Sequence, residues 1–422
     1  MKIAAIQPPQ LRTLEEGERT ATWLELFYDL VFVASVAALG IRLAHDASWS
    51  GWLSYTGFFA LVWWLWASHT FYADRYDTDD VVYRLLAGVQ MVAIAFIAAS
   101  LSADHGSTLV FAGAYAAARA LLLIMYARAY RHVPQSRNLV RGYLIGFGAA
   151  AVIWVSAIFV PEPARFWLWG IALAVDLATP FAVRRAQAAV PLDVSHLPER
   201  FGLFTILVLG ESIVAVTVGL GHVEWQWATS ITGGLGIIVA TAIWWIHFDN
   251  VDGFVVRRRG KKTDWRPTVW IYSHLPLAVG IAMVGVGIEY AIVAADHDHV
   301  YHVGDRWVLL GGAAIAFTAM AAIQSASVRE ASDQVRRRLL VNRLGAVPVV
   351  LMIGALSSIG PVGTMLLLGA VCLLQVAADM LAASVAADEA SSRAADSIEE
   401  EGTGGSLPLD IDDASLSDDE VG

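Results

Sequence analysis

The sequence predicts an all-α integral membrane protein, and three observations lead to that class. Of its 422 residues, 57% are hydrophobic and only 16% are charged, whereas about a quarter of the residues of a soluble globular protein are charged. The mean hydropathy is +0.57. The apolar stretches are continuous rather than alternating, which favours helices over the strands of a membrane barrel.

Twelve apolar stretches follow one another along the chain, and each has the roughly 20 residues that a spanning helix needs. Polar residues 1–22 lead directly into the first stretch, which is too long for a signal peptide. The motif "SSIGPVG" at 357–363 is either a tight turn between the last two helices or a kink. The predicted spans are 24–44, 53–73, 83–103, 107–127, 140–160, 165–184, 201–221, 229–248, 270–294, 306–327, 338–359 and 361–384.

The basic residues predict the orientation of these helices. Short cytoplasmic loops of membrane proteins are enriched in Lys and Arg, and the loops between the predicted helices alternate between basic and basic-poor. All but four of the 28 Lys and Arg residues fall on one side of the predicted membrane, and the four are Arg42, Arg119, Arg165 and Arg306. Both termini are therefore predicted to be cytoplasmic, in a protein of the cell membrane.

Short matching motifs predict an internal repeat. "ELF" at 25–27 opens the first predicted helix and "ERF" at 199–201 opens the seventh, while "YDTDD" at 76–80 and "FDNVD" at 248–252 end the second and eighth. Six helices per repeat would place the two halves in parallel, as in some transporters. The predicted organisation is a cytoplasmic segment 1–23, six-helix repeats at 24–184 and 198–384, and a disordered acidic tail at 385–422.

Two carboxylates at the start of the first helix are the first candidates for function. Glu25 and Asp29 are four residues apart, so they project from one side of a helix. They either form a proton or cation site, since neighbouring carboxylates raise one pKa, or they are structural. In the structural interpretation Glu25 is interfacial and Asp29 pairs with Arg119, which fixes the first helix against the fourth.

Other ionisable residues lie within the predicted spans, where they usually face the bundle interior or a water-filled cavity. Glu211 follows Gly210 halfway along the seventh helix and is either functional or an interhelical hydrogen-bonding group. Asp176 and Arg119 are expected to balance each other, and His274 titrates near neutrality unless it only hydrogen-bonds at the interface. The predicted solute or ion site comprises Glu25, Asp29, Arg119, Asp176, Glu211 and His274.

The acidic residues at the helix ends are secondary candidates. They either bind cations or cap helices and form salt bridges with nearby arginines, and they are Asp77, Asp80, Glu199, Asp249 and Asp252.

No metal site is predicted, because "DHDHVYH" at 296–302 matches no closed zinc pattern. No motif for soluble catalysis and no cofactor-binding motif is present. The net charge of −11 argues against a nucleic-acid partner.

Three motifs resemble the low temperature requirement A (LtrA) family of bacterial and archaeal proteins. They are "ELFYDLVFV" at 25–33, "DTDD" after the second helix and "ERFGLFTILVLGES" at 199–212. The resemblance extends over most of residues 20–384 and implies a multi-pass inner-membrane protein, but no particular activity. The motif acids that it places in this sequence are Glu25, Asp29, Asp77, Asp80, Glu199 and Glu211.

Three functions are compatible with these features. The first is a secondary transporter or permease with a proton- or cation-linked polar site between the halves. The second is a non-transporting envelope factor in which the buried charges only fix packing, and the third is an enzyme acting on lipid-linked substrates. The expected partners are the lipid bilayer and an unidentified small solute or cation; the oligomeric state stays open.

Overall fold

The structure is a computed structural model, and its described part is almost entirely helical. A single pair of two-residue strands is present in that part: β1 (Gln10–Leu11) pairs antiparallel with β2 (Tyr76–Asp77). The described residues are 6–12, 20–77, 79–101, 106–190, 192, 196–249, 265–296, 300–327, 333–356 and 358–403.

Twelve helices of 19 residues or more lie within the described ranges, and each overlaps one predicted span. Helix α12 ends before "SSIGPVG" and α13 begins within it, so this motif separates two helices. A four-residue helix, α7, connects the halves. The helices are α1 (Trp23–His45), α2 (Trp49–Arg75), α3 (Val81–Ser100), α4 (Thr108–His132), α5 (Arg137–Ile158), α6 (Ala164–Ala182), α7 (Arg184–Gln187), α8 (His196–Gly221), α9 (Trp227–Phe248), α10 (Arg266–Ala294), α11 (Val303–Ala326), α12 (Asp333–Ala355) and α13 (Pro361–Thr403).

Local capping explains where the first four helices begin. Each follows a residue whose side chain accepts a hydrogen bond from a backbone N–H three positions later, which satisfies a donor that has no partner within the helix. These caps are Thr22, Ser48, Asp80 and Ser107.

Ten of the described helices are long and apolar enough to cross a membrane, so the protein has the architecture of an all-α multi-pass membrane protein. Helices α2 and α6 fall short of that criterion. For α2 the packing supplies the reason, because every residue from 61 to 75 is buried. A helix that is surrounded by protein does not need the lipid-facing apolar surface of its neighbours, so its sequence tolerates polar and aromatic residues.

The two halves share an order of neighbours. In each half the first helix packs against the second and third, and the third against the fourth, the fourth against the fifth and the fifth against the sixth. This order is what two parallel repeats would produce. Between the halves, α1 packs against α8 and α10, and α2 also contacts α8. The first helices of the first half therefore lie beside the first helices of the second half.

Helices α10 and α11 form the most enclosed pair of the bundle. In their most apolar stretches 78% of the residues are buried, compared with 33–50% in the other candidate spans of the described chain. Their backbones approach closely at Gly280 and Gly287, where an added Cβ would lie 2.6 Å from the Gly312 carbonyl oxygen and 2.4 Å from the Leu309 Cα. Small residues at such crossings allow close helix packing within membranes.

The C-terminal segment differs from its prediction. Disorder was predicted from residue 385, but α13 continues to Thr403; residues 404–422 lie outside the described ranges. Extending an existing helix avoids the unfavourable nucleation step, and the segment 386–397 is rich in alanine, the best helix former. It therefore does not have to bury an apolar face to be helical.

Candidate functional site

The predicted carboxylate pair lies at the buried start of α1. Glu25 and Asp29 expose 2% and 0% of their surfaces. Glu25 completes a capping box with Thr22: its Oε2 accepts hydrogen bonds from the Thr22 N–H at 2.8 Å and the Thr22 hydroxyl at 2.9 Å. The cap fixes the position of the Glu25 carboxylate at the end of the bundle where α1 begins.

The cation that faces this pair is Arg200 of α8. Its Nη2 donates to Asp29 Oδ1 at 2.5 Å, and its Nη1 lies 3.3 Å from Glu25 Oε1. The indole Nε1 of Trp66 in α2 donates to the same Asp29 oxygen at 2.8 Å. The structural interpretation that paired Asp29 with Arg119 is therefore wrong, because the packing of α8 against α1 brings Arg200 to Asp29.

A histidine joins these residues to a third carboxylate. His196 is fully buried at the start of α8, with Nε2 3.3 Å from Glu25 Oε2 and Nδ1 3.1 Å from Asp74 Oδ1 at the end of α2. Both ring nitrogens thus face carboxylate oxygens. We call the residues of this assembly the charge cluster: Glu25, Asp29, Asp74, His196 and Arg200.

A second buried ion pair connects α4 to α6. Arg119 donates to Asp176 and, through Nη1 at 3.0 Å, to the Ser68 hydroxyl of α2. The guanidinium also lies over the Phe147 ring, 4.8 Å from its centroid. The predicted balance between Asp176 and Arg119 is confirmed. Helix α2 therefore contacts this ion pair through Ser68 and the charge cluster through Trp66.

The remaining predicted site residues do not join the charge cluster. Glu211 is partly exposed, and within the described chain it has no hydrogen bond or ion pair; it lies 11 residues beyond Arg200, about 16 Å along the helix axis. Glu199 accepts a hydrogen bond from the Ala21 N–H at 3.1 Å. His274 packs against the rings of Trp270 and Phe201 rather than against a charged group.

The acidic helix-end residues differ in role. Asp80 caps α3 and forms a two-point ion pair with Arg128, at 2.9 and 2.6 Å, so the capping alternative fits it. The backbone of Asp77 pairs with Gln10 in the small sheet, and Asp249 is an exposed residue at the end of α9. The Asp77 side chain and all of Asp252 lie outside the described residues.

The Asp80 cap provides a stability prediction. Burial raises the pKa of Asp80, but hydrogen bonds from Arg128 and from the Tyr83 N–H outweigh this effect and leave the pKa below its ordinary value. We expect Asp80→Asn to lower stability by loss of the ion pair, and Asp80→Ala to lower it by about 1 kcal/mol more, because Asn still caps a helix. Thermal unfolding in detergent measures both losses.

The pH dependence of these variants follows from the direction of the pKa shift. A lowered native pKa contributes stability above the unfolded-state pKa of about 4, and this contribution is lost as the pH falls through the native value. The difference between wild type and Asp80→Asn should therefore be constant from pH 5 to 8 and decrease below pH 4. A difference that persists undiminished at pH 3 would contradict this assignment.

Three members of the charge cluster were not predicted as site residues: His196, Arg200 and Asp74. A usable signal was present, because His196 and Arg200 are four residues apart just before the seventh predicted span and would share a face of a helix that began there. This arrangement mirrors that of Glu25 and Asp29 at the start of the first span. Within the described residues, no group of three or more His, Cys, Asp or Glu side chains is placed to hold a metal ion.

Comparisons with known proteins give one family and one relative. The family model of the bacterial low temperature requirement A (LtrA) proteins matches residues 20–385. An uncharacterized protein of Rhizobium meliloti (strain 1021) is 27% identical over 314 residues, which cover 70% of this chain and 74% of the relative. No solved structure matches. The matched range contains the whole charge cluster.

Proposed function

This chain belongs to the bacterial low temperature requirement A family, and we propose that it is a proton-linked membrane transporter whose coupling site is the charge cluster. The observation that carries the proposal is the placement of one imidazole between two buried carboxylates, where the two halves meet.

The chemistry of His196 explains why this arrangement would bind a proton. A neutral imidazole has one N–H donor and one acceptor nitrogen, and an ionised carboxylate only accepts. With Glu25 on one side and Asp74 on the other, one ring nitrogen of a neutral His196 faces a carboxylate without a proton between them. One additional proton, on the imidazole or on a carboxylate, satisfies both contacts.

The Asp29–Arg200 pair beside His196 keeps unused hydrogen-bonding capacity. In the described chain, Asp29 Oδ2 and Arg200 Nε are buried and have no hydrogen-bond partner. Leaving such groups unsatisfied costs about 1–3 kcal/mol each. A water molecule or a small solute with both a donor and an acceptor would remove that cost, so these two atoms are the proposed contact for a transported species.

The position of the cluster also supports a twelve-pass topology. The starts of α1 and α8 and the end of α2 meet in the charge cluster. The start of α1 and the end of α2 lie on the same side of the membrane if both helices cross it. The start of α8 lies on that side as well if an even number of crossings precedes it. Because the loops on that side are basic, we assign it to the cytoplasm, with both termini and the two repeats oriented accordingly in the cell membrane.

Proton flux into proteoliposomes tests the proposed function. The purified chain is reconstituted with a pH indicator inside the vesicles, and flux is driven by a potassium diffusion potential. We expect wild type to acidify the lumen faster than protein-free vesicles. His196→Gln removes the titratable ring and should lower the rate at least about tenfold, equivalent to about 1.4 kcal/mol in the barrier.

A matched control is available on the same helix. Glu211→Gln also removes an ionisable side chain from α8, but outside the charge cluster, and it should retain the wild-type rate. His196 is flanked by charged residues of three helices, Glu25 of α1, Asp74 of α2 and Arg200 of α8, and we expect flux to depend less on pH in His196→Gln than in wild type. Wild-type flux equal to that of empty vesicles, or full flux in His196→Gln, would overturn the proposal.

A further inference from the structure

Two further histidines lie in the second half, outside the charge cluster. His247 is the penultimate residue of α9 and His274 lies in the third turn of α10; their exposed fractions are 2% and 3%. Phe201 separates them from the cluster, since its ring packs against both His274 and Trp66. We call His247 and His274 the imidazole pair.

The imidazole pair carries buried nitrogen atoms that have no hydrogen-bond partner in the described chain. His274 Nδ1 lies 2.7 Å from the Trp270 carbonyl oxygen, and because a carbonyl only accepts, Nδ1 carries the proton and Nε2 has a free lone pair. This Nε2 and both ring nitrogens of His247 are buried without a hydrogen-bond partner in the described chain. A backbone carbonyl that fixes the tautomer in this way commonly accompanies a metal-binding histidine.

The separation of the two rings fits an ion between them. The ring centroids are 5.9 Å apart and the planes make an angle of 82°. A direct N–H···N hydrogen bond of about 3 Å would bring the centroids to about 5 Å, allowing about 1 Å from each centroid to its nitrogen. Two metal–nitrogen bonds of about 2 Å in line would place the two ring centroids about 6 Å apart.

The first half also contains a buried histidine, but that histidine has a side-chain partner. There the second and third helices, α2 and α3, contribute His69 and Tyr83, and His69 Nε2 lies 3.3 Å from the Tyr83 hydroxyl. The phenol thus gives Nε2 of His69 a hydrogen-bond partner, whereas Nδ1 of His69 has none in the described chain. In the second half, α9 and α10 bring two imidazoles together, and three of their four ring nitrogens have no hydrogen-bond partner in the described chain.

We propose that the imidazole pair is a binding site for a monovalent copper ion, Cu(I). Imidazole binds copper and zinc well, but zinc sites almost always have four ligands. No third His, Cys, Asp or Glu of the described residues joins the pair to form such a group. A monovalent ion between two neutral ligands also costs less to bury than a divalent one, and Cu(I) accepts two ligands in line.

Copper binding by the full-length chain in detergent tests this site without any measurement of transport. Under anaerobic conditions, competition with a coloured Cu(I) chelator should show one bound equivalent. X-ray absorption of that complex should show two nitrogen neighbours and no sulfur. The double variant His247→Ala/His274→Ala should bind Cu(I) at least about 100-fold more weakly.

The control is His69→Ala, which removes the buried imidazole of the first half and should retain Cu(I) binding. The wild-type absorption spectrum decides the question even if the double variant does not fold. Absence of bound Cu(I), sulfur neighbours from Cys372 or the methionines, or an unchanged affinity in a folded double variant would overturn the proposal. Preferential four-coordinate binding of Zn(II) would overturn the choice of ion.

Discussion

Arg200→Ala is expected to be the most destabilising single substitution in the charge cluster. Arg200 is the guanidinium that faces Glu25 and Asp29, and its removal leaves both carboxylates buried without that charge. Breaking a buried ion pair from one side costs about 3–5 kcal/mol, which is a large share of a typical folding free energy. We expect a strong decrease in folded protein extracted from membranes and in the unfolding temperature.

Two further variants separate charge from side-chain size. Arg84→Ala removes a guanidinium from an exposed ion pair with Asp79 and should change stability by less than about 1 kcal/mol. The triple variant Glu25→Gln/Asp29→Asn/Arg200→Gln removes the charges together and should recover a substantial part of the lost stability. If it is no more stable than Arg200→Ala, the uncompensated carboxylates are not the cause.

The Arg119–Asp176 pair is expected to show the second-largest effect. Both side chains are buried, at 1% and 0% exposure, so Arg119→Met or Asp176→Leu alone leaves one buried charge and should cost about 3–5 kcal/mol. The double variant replaces the pair with apolar side chains, and such replacements are often neutral or stabilising. We therefore expect it to be more stable than either single variant.

A double-mutant cycle measures this coupling. Unfolding of the wild type, both single variants and the double variant is followed in the same detergent, and the coupling energy is the difference from additivity. The equivalent cycle on Arg343 and Asp379, a buried pair between α12 and α13, provides a comparison remote from the charge cluster. Additive losses within about 0.5 kcal/mol would show that Arg119 and Asp176 do not stabilise each other.

Much of the fold follows from local sequence. All twelve predicted spans overlap long helices, because a run of about 20 apolar residues is a local property and lipid leaves the backbone few alternatives to a helix. Glu25 and Asp29 were identified because charges within such runs are rare. The pairing of Arg119 with Asp176 was also predictable, since Arg119 lies in the middle of a predicted span rather than near its ends.

Contacts between distant segments of the chain could not be predicted in the same way. Arg200 was counted among the basic residues of a loop, although it lies on α8, and Glu211 was ranked as a site residue although it has no charged neighbour in the described chain. Periodicity gives the face of a helix on which a residue lies, but not the helix that packs against that face. The same limitation applies to α2, whose polar residues are explained only by its enclosure.

The sequence by itself determined that this chain is a bundle of membrane helices with acids in its interior, because helix length and apolar content are set within about 20 consecutive residues. Only the tertiary structure decided which charges meet. Asp29 and Arg200 are 171 positions apart, and their contact depends on the packing of α1 against α8. The rings of His247 and His274 likewise come within 5.9 Å of each other only once α9 and α10 have packed together.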